Sequence, residues 1–208
     1  MSLGVSTPSS LITDFADQAV VLPLSAVVFV VFAVMQWWRG AIAWGAVVGS
    51  ALALILLFKL RFFACNQALP DALVRNPSGH TAAAAVVYGG LAIAMVRSKW
   101  TMDRALIPVT AAISILIAVV IGASRLRLDK HSVLEVLIGG AIGVAGAVFF
   151  ALLAGPPKGN PRFRRRLLLA VLVIAVFYGV QMPIEHRLES IGKNVRQLLM
   201  AADINICR

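Results

Sequence analysis

Negative charge is scarce in this chain. Of its 208 residues nine are Asp or Glu against nineteen Lys or Arg, a formal net charge of +10. Charged residues of both signs reach only 13%, about half the share usual in a soluble domain. Cysteine is nearly absent. Cys65 and Cys207 lie far apart, which excludes a disulfide framework and a metal knuckle. Histidine is limited to three, and no Asp/Glu/His cluster suggests a metal site. Aromatics make up 8% and do not interleave with basic stretches, which argues against nucleic acid as a partner. Met1 to Gln18 holds no Lys or Arg. The basic start of a secretory signal is therefore missing, and the first apolar run reads as a retained span.

What is abundant is hydrophobicity, at 60% of residues with a mean hydropathy of +0.90. That composition places the chain among polytopic membrane proteins, as one all-α domain. Six apolar runs approach the roughly 20 residues that a spanning helix needs. They lie at about 20–38, 41–58, 80–97, 105–123, 132–154 and 167–183. Trp37, Trp38, Trp44 and Trp100 bracket turns, as residues of an interfacial belt do. Gly139 and Gly143 form a small-xxx-small pair for close helix contact. Residues 7–19 read equally as a short interfacial helix or an unstructured lead-in. In the tail, Ile184, Leu188, Ile191, Val195 and Leu198 recur at helical spacing, predicting an amphipathic helix on the membrane or on a partner.

Two stretches at the edges of these runs carry chemistry. The first is Arg75-Asn76-Pro77-Ser78-Gly79-His80-Thr81. Pro77 breaks what precedes it, and Ser78 is a helix cap. Gly79 lets backbone approach a ligand, and the N–H groups of a helix start favour an anion such as phosphate. The second runs from Ser124-Arg125 to His131-Ser132-Val133-Leu134-Glu135. Arg125 offers a planar fork for phosphate. Glu135 follows His131 by four residues, so a helix puts both on one face, where the carboxylate fixes the imidazole tautomer.

Pro77-Ser78-Gly79-His80 and Ser124-Arg125 with His131 six residues after the arginine resemble the second and third motifs of the type-2 phosphatidic acid phosphatase superfamily. The resemblance covers about Arg75 to Gly143. It implies a metal-independent hydrolysis with His131 as nucleophile through a phosphohistidine, His80 as acid, and Arg125 and Ser78 on the phosphate. Glu135 stands where the family usually has Asp. The family's first motif, a Lys with Arg-Pro seven residues on, is incomplete: Lys59 is followed at that spacing by Asn66-Gln67. Lys59, Arg61 or Arg75 supplies the missing charge, with Arg75 the first choice. Ser124 completes the expected phosphate-binding set with Gly79.

Six spans put both termini and both motif loops on one side. Basic residues divide nearly evenly between the sides, but six on the motif side answer to phosphate chemistry, and the cluster at 158–166 is the densest. The expectation is a bacterial-type inner membrane with 158–166 cytoplasmic and the motif face periplasmic or exterior. The expected function is hydrolysis of a lipid phosphate or diphosphate, with the bilayer delivering the substrate. Anionic lipid headgroups are the expected surface partners, and no cofactor is expected. Two alternatives stay open: a phosphotransferase on the same site, and a non-catalytic lipid-binding or transport protein.

Overall fold

The computed structural model describes residues 8–65, 76–97, 106–157, 169–180 and 184–201, the side chains at 65, 97, 169–171, 184–187 and 199–201 excepted. Every regular element among them is a helix. In order these are α1 (Pro8–Asp14), α2 (Gln18–Val34), α3 (Trp38–Cys65), α4 (Gly79–Arg97), α5 (Leu106–Arg127), α6 (Val133–Leu153), α7 (Leu169–Phe177) and α8 (Ile184–Ala201). Five described segments are long and apolar enough to cross a bilayer: Pro8–Val34, Trp38–Ala64, Gly79–Val96, Leu106–Arg127 and Val133–Leu153. The chain is a multi-pass membrane protein. The sixth expected run, 167–183, is described as helix over only the nine residues of α7. Ala154, just past α6, and Tyr178, just past α7, lie at opposite ends of the bundle. Ala154 accepts a hydrogen bond from Trp37 in the α2–α3 turn, while the Tyr178 hydroxyl donates to Leu11 in α1 at the motif end.

The helices end where local chemistry ends them. Gln36, in the left-handed region at φ 56°, closes α2: its N–H donates to Ala33 O and the Trp37 N–H to Phe32 O. That is the two-bond αL termination usually given to glycine. Asp129, at φ 52°, closes α5 in the same way, with its N–H on Leu126 O and the Lys130 N–H on Arg125 O. Asp and Asn tolerate this region better than other side chains. The chain then restarts at once. Ser132 caps α6 in a reciprocal capping box with Glu135. Only five residues separate α5 from α6, and both ends of that loop are pinned.

Helices α4, α5 and α6 form the tightest part of the bundle, and α4 is the most buried span. Glycine sets the approach of α6 to α4. A Cβ on Gly139 would lie 2.4 Å from the Ser78 carbonyl oxygen, and one on Gly143 2.5 Å from that of Ala82. Backbone meets backbone there, as the spacing of the two glycines predicted.

The far end is held by aromatics, and here the sequence reading needs correcting. Trp37 and Trp44 are buried, not in an interfacial belt. They pack with Phe32 and Phe150, and their indole N–H groups donate to Ala154 O and Ser25 O. Satisfied N–H groups let these rings enter the core. Trp38 alone of the three is exposed, and Trp100 lies outside the described residues. The tail forms the expected amphipathic helix, but one face of it packs on this chain. Gly192 is buried against Phe63 and Ala64 of α3, while Ile191 and Leu198 stay exposed.

Gly139→Ala should lower stability by about 1–3 kcal/mol, because the clash is with backbone that cannot rotate away. Gly49→Ala, with nothing within 4 Å, should not. Thermal midpoints in detergent compare the two. Equal midpoints would contradict the close α4–α6 approach.

Candidate active site

Glu135 gathers the site. Its Oε2 lies 3.1 Å from His131 Nδ1 and accepts the Ser132 N–H at 3.0 Å. Its Oε1 accepts the Asn76 N–H at 2.8 Å. Its backbone carbonyl accepts the Ser78 N–H at 3.0 Å. One residue at the start of α6 thus orients the imidazole, caps its own helix and ties down the loop that leads into α4. A carboxylate on Nδ1 favours the proton there, which leaves the lone pair on Nε2.

The His131 side chain is only 3% exposed. Burial holds its pKa below the ordinary 6.5, the Glu135 hydrogen bond opposes that shift, and the charges of Arg125 and Lys59 reinforce it. The imidazole is therefore neutral at neutral pH, the form a nucleophile needs.

Two cations flank both histidines. Arg125, in the last turn of α5, and Lys59, near the end of α3, are buried, and the charge of each acts on His80 and on His131. A Cβ on Gly79 would sit 3.5 Å from the Lys59 Cε, so the glycine gives the lysine room beside the start of α4. Two buried cations beside two imidazoles are charges that an anion could help to offset.

The remaining expected residues divide. Ser78 caps α4: its hydroxyl accepts the Thr81 N–H at 3.4 Å and pairs with the Thr81 hydroxyl at 2.9 Å. Because the Ser78 N–H is committed to Glu135, the N–H donors to be expected from the α4 start come down to Gly79 and His80. The Ser124 hydroxyl donates to Ile121 O at 2.6 Å and meets the Thr13 hydroxyl of α1 at 2.9 Å. Both bonds serve helix packing. Arg61 is exposed at the end of α3. Arg75, with Asn66 and Gln67, lies outside the described residues. Among the described residues no group of three or more His, Cys, Asp or Glu is placed to hold a metal.

One acidic group was not anticipated. Asp17, at the start of α2, places Oδ2 3.8 Å from His80 Nε2. The sequence offered a single clue, an acidic residue just outside a span on the motif side.

Glu135→Gln tests the orientation of His131. It should lower kcat roughly 10²–10⁴-fold with little change in KM. The wild-type acid limb of kcat/KM should fall below pH 6.5, where neutral His131 is lost by protonation. Glu135 raises the His131 pKa, so its loss should move that limb still lower. A limb that stays put or rises would remove Glu135 from this role.

The PAP2 superfamily model matches residues 61–158, from the end of α3 past the end of α6. An uncharacterized 22.5 kDa protein in the cps region of Klebsiella pneumoniae is 28% identical over 145 residues, covering 69% of this chain and 68% of that protein. No solved structure matches significantly. Residues 61–158, which carry both histidines, Arg125 and Glu135, belong to the PAP2 superfamily.

Proposed function

We propose that this protein is an integral-membrane phosphatase acting on a lipid phosphate or diphosphate through a phosphohistidine on His131. The observation that carries the proposal is the Glu135–His131 contact between two buried cations. The steps follow from it. Nε2 of His131 attacks phosphorus, and the P–O bond to the leaving group breaks. His80 gives its proton to the leaving oxygen. Arg125, Lys59 and the N–H groups at the α4 start hold the non-bridging oxygens, whose charge spreads in the transition state. Water then attacks phosphorus, the P–N bond breaks, and His80 takes up a proton from that water.

An apolar groove supports a lipid as the substrate. It is an open groove of about 720 Å³ between α3 and α6, lined by Val47, Ser50 and Leu54 on one side and Ile142, Ala145 and Phe149 on the other. Helices α3 and α6 run antiparallel, so Lys59 and Glu135 mark the site end of the groove. At 1.5 Å per residue that end lies about 8–9 Å from the groove's rim at Leu54 and Ala141. A hydrocarbon chain in the groove would place its phosphate between the cations. The site face is proposed to be periplasmic or exterior on an inner membrane.

Phosphate release by the detergent-purified protein from a panel of lipid phosphates and diphosphates, with EDTA present, tests the reading. Release by the wild type that is lost in His131→Ala and in His80→Ala is expected. No release by folded wild-type protein from any lipid would overturn it. Ala145→Phe should slow release from long-chain lipids more than from short-chain ones, and an equal effect would take the chain out of the groove.

A further inference from the structure

The N-terminal segment, which lies outside the PAP2-matched region, is built into the site. Four contacts hold it there. The Thr13 hydroxyl meets that of Ser124, the residue before Arg125. Ala16 is fully buried with Ala84 of α4 and Ile121 of α5. The Tyr88 hydroxyl of α4 donates to Phe15 O at 2.5 Å, and that of Tyr178 donates to Leu11 O at 3.1 Å. Asp17 follows directly. Its Oδ1 accepts the Ala19 N–H at 2.8 Å and caps α2. A capping bond on one oxygen fixes the plane of the carboxylate, and the other oxygen is then aimed at His80. The Asp17 and His80 side chains are 14% and 16% exposed.

We infer that Asp17 is the positioning residue for His80, holding Nε2 and stabilising the imidazolium that delivers a proton to the leaving oxygen. The inference rests on the phosphatase reading and deepens it. It also gives the two histidines parallel supports: Glu135 for the nucleophile and Asp17 for the acid. The oxygens differ in how close they stand. Glu135 is within hydrogen-bond distance of a neutral imidazole, whereas Asp17 at 3.8 Å is at ion-pair distance, suited to a ring that carries charge during part of the cycle. In the first half-reaction the proton leaves His80 for the alkoxide as the P–O bond breaks. In the second, His80 regains a proton from the attacking water. The carboxylate stays ionised throughout and transfers no proton itself. Its work is electrostatic, at a protein position with little water to screen it.

The test exploits the leaving group. An alkyl alcohol leaves poorly and needs the acid; p-nitrophenolate leaves without one. Asp17→Asn keeps the α2 cap, since Asn caps as well as Asp, and Asp17→Ser keeps it with a different side chain. Both variants and the wild type would be assayed on dihexanoyl phosphatidic acid and on p-nitrophenyl phosphate. Expected is a loss of kcat/KM, which reports the first half-reaction alone, of roughly 10²-fold on the phosphatidic acid in both variants, and a far smaller loss on the aryl ester. His80→Ala should show the same selectivity. Equal losses on the two substrates would make Asp17 a folding residue and overturn the inference, as would full activity on both. His131→Ala separates this outcome from failure of the phosphatase reading, because it should abolish release from both substrates. If it does not, the nucleophile is misassigned whatever Asp17 does.

Discussion

One glutamate that serves four partners, three through its carboxylate and one through its backbone carbonyl, is the constraint on which the site depends. Glu135 accepts from Ser132, Asn76 and Ser78 and stands against His131 Nδ1. Those bonds join two stretches that are more than fifty residues apart in sequence. They require α4 and α6 to approach at backbone distance, and Gly139 and Gly143 permit that approach. They also require α6 to begin two residues after His131, so α5 must stop abruptly. Asp129 in a left-handed conformation stops it. The site geometry is thus a consequence of two helix ends and one glycine pair.

Its electrostatics follow from the same packing. Burying Arg125 and Lys59 beside two imidazoles is unfavourable unless an anion offsets their charge, because charges lose solvation on leaving water. Glu135 and Asp17 bring negative charge to the same site, each against one of the two imidazoles. The low proton affinity of His131 is a by-product of that arrangement, and it favours the nucleophilic form.

Much of this was legible in the sequence. His131 and Glu135 were readable because an i, i+4 pair is a local relation on one helix, and Ser78 and Ser132 because caps are local too. Gly139 and Gly143 announced a close contact without naming the partner. The relations that escaped were three-dimensional. Trp37 and Trp44 have the composition of a belt, and only the placement of Ala154 O and Ser25 O explains their burial. Ser124 was assigned to phosphate because of its neighbour, yet one helix position turns its hydroxyl to Thr13. Arg61 stood beside Lys59 as a source of the missing charge, and the helical phase of α3 buries the lysine and exposes the arginine. Asp17 could not be paired with His80 from a segment that itself read equally well as unstructured.

The most direct measurement is the position of the phosphoryl group. Wild-type protein would be mixed with a lipid phosphate, and His80→Ala with p-nitrophenyl phosphate, whose leaving group needs no acid; both would be quenched in base to preserve phosphohistidine and analysed by peptide mass spectrometry and phosphorus NMR. The account predicts a phosphoryl group on Nε2 of His131, because Glu135 occupies Nδ1. A phosphoryl group on Nδ1 of His131, or on another residue, would contradict it.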